Sequence, residues 1–134
     1  MKSLLASLAL VAFLSPAFAS PADFADLRAK MSAARESLVT MLVNKDKRGA
    51  DHQKVVKDTA DAVSASLAKL KAPAGKEAQF KELVETWNAF KVTREKELVP
   101  AILAGKEAEA KALATGVQKE RITKCQQLVG ELGG

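Results

Sequence analysis

The stretch Phe80-Lys81-Glu82-Leu83-Val84-Glu85-Thr86-Trp87-Asn88-Ala89-Phe90 sets its large apolar residues, Phe80, Leu83, Trp87 and Phe90, at steps of three, four and three. A strand would repeat every second residue. Steps of three and four return to one face of a helix with about 3.6 residues per turn. The stretch is therefore a helix with one buried seam, beginning near Lys76. The seam runs on to Arg94 and Leu98 before meeting Pro100. Proline removes a helical hydrogen bond and clashes one turn back, which predicts a kink there or a short break before Gly105.

Working outward, the same spacing recurs. Phe24, Leu27, Met31, Ala34, Leu38 and Met41 predict a first helix over 22–44. Val56, Thr59, Val63, Ser66 and Leu70 predict a second over 50–71, with Val55, Ala60 and Leu67 widening its stripe. Ala72-Pro73-Ala74-Gly75 ends it. A last helix over 106–132 carries Val117, Arg121, Leu128 and Leu132 on one line and Ile122, Cys125 and Val129 on a second. Ala, Lys, Glu and Leu, all strong helix formers, dominate throughout. Short connections make neighbouring helices antiparallel. The predicted fold is all-α, an up-down-up-down antiparallel four-helix bundle occupying 20–134 as one domain.

Residues 1–19 read as a cleavable signal peptide. Lys2 is the basic start, Leu4 to Leu14 is apolar except for Ser7, and Ala17-Phe18-Ala19 is the small-x-small cleavage pattern before Ser20. The apolar run is too short for a bilayer core, which needs about 20 residues. The expected product is periplasmic or secreted, with no transmembrane helix in the mature chain. The 134 residues carry 21 Lys and Arg against 16 Asp and Glu, a formal net charge of +5. Loss of Lys2 with the leader makes the mature chain only mildly basic. The charges alternate along helix faces, and no basic stripe with interleaved aromatics argues for nucleic acid. The single cysteine, Cys125, allows no internal disulfide and reads as a small buried hydrophobe.

Catalytic patterns are missing. His52 is the only histidine, with no ligand-type residue one turn away, and Asp51 beside it faces elsewhere. There is no phosphate loop, HExxH or EF-hand loop. The expectation is a protein that is not an enzyme and needs no metal or cofactor. The remaining chemistry is charge near seams. Arg94 lies on the seam of the third helix, Arg121 near that of the fourth, and Arg35 flanks that of the first beside Ala34. An interior guanidinium must be paired or hydrogen-bonded. It is therefore a structural ion pair, a side chain snorkelling to the surface, or an anion site between helices. Trp87 is a core residue by its spacing and, alternatively, a ligand wall.

Three stretches carry a family resemblance: Arg35-Glu36-Ser37-Leu38 through Asn44-Lys45-Asp46; Leu83 to Phe90 with Arg94; and Ala104-Gly105-Lys106-Glu107-Ala108-Glu109-Ala110 with Gly116 beyond. From Arg35 to Leu132 the chain resembles the periplasmic four-helix-bundle ligand-binding domain of methyl-accepting chemotaxis receptors. That resemblance implies a sensor-type module binding a small anionic ligand between helices, or partnering a membrane receptor, with Arg35 and Arg94 as ligand contacts. In that family two membrane spans flank the bundle and a cytoplasmic rod follows. The second span and the rod are not found here, so the resemblance implies a stand-alone form.

A second stretch, Ala25-Asp26-Leu27 followed by Met31, resembles the start of exported four-helix-bundle b-type cytochromes. This implies haem b with Met31 as one axial ligand. Cys125 stands where that family has its second axial ligand, a histidine. The alternatives to the sensor reading are thus a haem electron-transfer protein and a ligand-free structural or chaperone-like bundle, monomeric or a homodimer.

Overall fold

In the computed structural model, which describes residues 18–134, helix α1 (Pro21–Val43) begins on a capping box. The Asp23 N–H donates to Ser20 Oγ at 3.3 Å, and the Ser20 N–H donates to Asp23 Oδ2 at 2.8 Å. The two bonds tie the helix start reciprocally, and Pro21 sits where its missing N–H costs nothing. The signal-peptide expectation lies outside the described residues except for Phe18 and Ala19.

Helix α1 runs to Val43 and buries Phe24, Leu27, Met31, Ala34, Leu38 and Met41, the whole expected seam, together with Ser37. A short 3-10 turn (Lys45–Lys47) leads to α2 (Ala50–Lys69). Its buried line is Val56, Ala60, Val63 and Leu67. The expected line through Thr59, Ser66 and Leu70 lies beside it, half-buried, and Val55 is exposed. The hydroxyls account for the rotation. Thr59 Oγ1 pairs with Ser37 Oγ at 3.0 Å, and Ser66 Oγ accepts from Lys30 Nζ at 2.7 Å, so both work at the edge of the core.

Helix α3 (Glu77–Thr93) buries Leu83, Trp87, Phe90 and Thr93, with Phe80 half-buried. A wide π-turn (Arg94–Leu98) follows and passes directly into α4 (Val99–Leu103). The irregularity expected at Pro100 thus falls one turn earlier. The Val99 N–H donates to the Arg94 carbonyl, five residues back. The widened turn makes room for the proline ring, which lies in the first turn of α4, and the helical course continues. The break near Gly105 is present, at a glycine with φ of 74°.

The last helical course departs most from expectation. It is two helices, α5 (Glu107–Thr115) and α6 (Val117–Gly133), meeting at Gly116 with φ of −99° and ψ of −110°. Among the described residues there is no strand, so the fold class is all-helical. No described helix is long and apolar enough to cross a membrane.

The helices pair with opposed sequence directions. Along α1 and α6, Phe24 meets Gly133 and Arg28 meets Gln126. Lys76 and Glu82, near the start of α3, meet Glu131 and Lys124, whereas Phe90 near its end meets Gln118. Between α1 and α2, Lys30 meets Ser66 and Ser37 meets His52. Helices α2 and α3 share fewer close approaches than α1 does with α2 and α6, or α3 with α6. They are joined by Trp87 Nε1 donating to Ser64 Oγ at 3.0 Å and by Lys91 paired with Asp61 at 3.1 Å.

The core is in two pieces. The larger includes Leu27, Met31, Val63, Trp87, Phe90 and Cys125; the smaller includes Leu38, Met41, Val56, Leu98, Ile102 and Ala110. On three of the four helical courses a buried polar residue separates them. Ser37 lies between Ala34 and Leu38, Thr93 and Arg94 between Phe90 and Leu98, and Gln118 between Ala110 and Ile122; all are buried. The π-turn and the Gly116 break both fall at this polar layer. A large apolar side chain contributes about 1.5–3 kcal/mol when fully buried, so both clusters stabilise the fold while the layer between them adds hydrogen-bonded register.

Candidate functional site

A cleft of about 240 Å³ opens at the polar layer, between α1 and the α5–α6 break. Leu38, Leu42, Phe90, Leu98 and Ile122 give it apolar walls. Gln118, only 2% exposed, is its buried polar group. The Gln118 Nε2 donates to the Phe90 carbonyl at 2.8 Å, and its Oε1 accepts from Arg121 Nη1 at 3.0 Å, so the amide is held at both ends. Arg35 and Lys119 are exposed and complete the lining, which contains no acidic residue. Neither cation forms an ion pair among the described residues. Local sequence explains the cleft. Gly116 interrupts the helix, and the chain on either side leaves Ala114 and Thr115 on one lip and Lys119 on the other.

The residues singled out in the sequence are not gathered in one place. Arg35 lines this cleft. Arg121 lines a separate, open groove of about 410 Å³ with Glu85, Glu120 and Lys124, a mixture of both signs of charge. Its Nη1 donates to Thr93 Oγ1 at 2.8 Å as well as to Gln118. Arg94 borders a third cleft of about 270 Å³, shared with Gln53, Lys57 and Glu95. It is 1% exposed and serves the packing of three helices. Nη1 donates to the Ala34 carbonyl at 2.8 Å, and Nη2 donates to the Val56 carbonyl at 2.7 Å and to Ser37 Oγ at 3.4 Å. Burial pushes its pKa down to about 10, against a small opposing pull from Glu95, so it remains charged at neutral pH. Trp87 is fully buried, tilted against Phe90 with ring centroids 5.2 Å apart, and lines none of these clefts.

Met31 and Cys125, the residues of the haem alternative, are fully buried in the larger apolar cluster and line none of the clefts above. Desolvation pushes the Cys125 thiol up to about 12, outweighing the opposite effect of Lys124. His52 Nε2 is hydrogen-bonded to the Ser37 carbonyl at 2.8 Å. Among the described residues no group of His, Cys, Asp and Glu side chains could hold a metal ion.

Sequence reasoning missed Gln118 and Lys119. Gln118 falls one turn before Ile122 on the line of Ile122, Cys125 and Val129, and its polarity hid it from a reading that followed apolar residues. Lys119 is one of many lysines in the chain, with nothing in its spacing to single it out. No protein-family model, curated protein or solved structure matches this chain.

Proposed function

We propose that this protein is an exported, sensor-type binding module, an up-down-up-down antiparallel four-helix bundle that takes a small ligand between its helices and acts without catalysis. The observation that carries the reading is the cleft beside Gln118. It combines apolar walls, one fixed buried amide and uncommitted cations at the mouth, which is the composition of a small-molecule site. The opposed pairings of α1 with α2 and α6, and of α3 with α6, support the bundle topology. Both irregular turns bordering the polar layer support binding as the use of this region, since π-turns concentrate at functional sites.

Export fits the helix start. The Ser20–Asp23 capping box lies wholly after the expected cut at Ala19, so processing leaves it intact. Sequencing the N-terminus of the exported protein is expected to begin at Ser20. Ligand binding is tested by backbone NMR against a library of small molecules of mixed charge. Shift changes clustered on residues 38, 42, 90, 98, 118 and 122 are expected. Changes confined to other surfaces, or none with any compound, refute the site.

A further inference from the structure

Resting on that cleft as the binding site, we infer that its ligand is a small monocarboxylate with an apolar body, bound tail first. Size sets the first limit. At about 240 Å³ the cleft lies below the usual range of small-molecule pockets, so its ligand is small. Charge sets the second. Arg35 and Lys119 stand at the mouth with no acidic neighbour in the lining and no ion pair of their own, so an anion there gains two partners without displacing a carboxylate.

The walls set the third limit. Phe90, Leu98 and Ile122 are buried and apolar. A second carboxylate at the inner end of the ligand would lose its hydration against them without compensation. The inner polar group is Gln118, whose amide is already held by Phe90 and Arg121. A dicarboxylate is therefore rejected. A neutral compound of equal shape fits the walls and leaves the cations unanswered.

The test titrates the purified protein with benzoate, benzamide and terephthalate, by calorimetry and backbone NMR. Benzoate is expected to shift residues 38, 90, 118 and 122, with the other two binding about tenfold more weakly or worse. Arg35→Gln with Lys119→Gln is expected to weaken benzoate by about tenfold and leave benzamide unchanged. Ala114→Phe, a half-buried lip position, is expected to block all three, with circular dichroism confirming the fold. If benzamide binds the cleft as tightly as benzoate, or if the double variant binds benzoate normally, the carboxylate inference is overturned while the cleft stands as a binding site. If terephthalate matches benzoate, the monocarboxylate limit is overturned. If no compound perturbs the cleft, or Ala114→Phe binds all three normally, both readings fall.

Discussion

Arg94 Nη2 lies 2.7 Å from the main-chain oxygen of Val56, so a fully buried guanidinium on the third helical course is held by neutral acceptors of the second. Two further acceptors, the Ala34 carbonyl and Ser37 Oγ, belong to the first. No carboxylate hydrogen-bonds this side chain among the described residues. The desolvation cost of such a charge is only partly offset by hydrogen bonds to dipoles, and a well-packed apolar replacement is often neutral or better.

Arg94→Met is accordingly expected to unfold in urea within about 1 kcal/mol of the parent, whereas Arg94→Ala, which leaves a cavity, is expected to lose about 2–4 kcal/mol. The pH dependence follows from the lowered pKa. From about 10 up to the ordinary arginine value the unfolded chain keeps the proton that the folded chain has released. Stability contributed by this group therefore rises with pH across that window, and below it the cost of the charge is fully present. The Met variant should lack that rise. A Met variant destabilised by more than about 3 kcal/mol would show that the bonds to the three helices outweigh desolvation.

Gly116 is tied to Ala112 by close approach. A Cβ built on Gly116 would lie 2.8 Å from the Ala112 carbonyl oxygen, which already accepts the Gly116 N–H at 3.0 Å. The obstructing atom is backbone, so relief requires the α5–α6 junction to shift. Gly116→Ala is expected to cost about 1–3 kcal/mol and to move the NMR signals of Gln118 and Lys119. Unchanged stability with unchanged signals would mean that the junction does not depend on glycine.

How far the fold is legible varies by helix. In α1 every seam position is a large or small apolar residue, and all are buried as spaced. In α2 Val56 and Val63 are buried as spaced, whereas Ala60 and Leu67, read as widening the stripe, take the interior in place of Thr59 and Ser66. The hydroxyls lie at the core edge, where only knowledge of the partners Ser37 and Lys30 would put them. The break at Gly116 is a single glycine in an Ala- and Lys-rich run, without the proline or loop composition that marks the other ends. The cleft depends on that break. Arg35 is legible as a flanking charge and Gln118 as the polar first member of the seam through Ile122, Cys125 and Val129, while Lys119 gains its place only from tertiary packing.

Asp61 offers a pH-dependent contribution of known direction. Hydrogen bonds from Lys57 first and Lys91 second hold its carboxyl below the usual value of 3.8, and Lys91 also reaches Glu95 at 2.7 Å. A depressed carboxylate pKa stabilises the fold above the unfolded value and is lost as pH falls through the folded one. Asp61→Asn is thus expected to be less stable than the parent at pH 7. The gap should close below pH about 3.8 and shrink in high salt. Because the side chain is 39% exposed, its size should stay under about 1 kcal/mol. A gap that persists unchanged at pH 2 (roughly two units below the ordinary carboxylate value) would assign the loss to packing.

Cys125 tests the core itself. It is wholly buried beside residues such as Met31 and Trp87 of the larger cluster, and desolvation raises its thiol to about 12. Burial also removes it from the reach of a thiol on another chain, so an intermolecular disulfide needs unfolding first. In the native protein at pH 8 a thiol reagent is expected to label Cys125 only as fast as the core opens, and at once in urea. Cys125→Ser is expected to lose about 1–3 kcal/mol, since a hydroxyl is costlier to take out of water than a weakly polar sulfur. Rapid native labelling, or a Ser variant as stable as the parent, would mean that this face of α6 opens to solvent, and the packing of α6 against α1 and α3 would have to be redrawn.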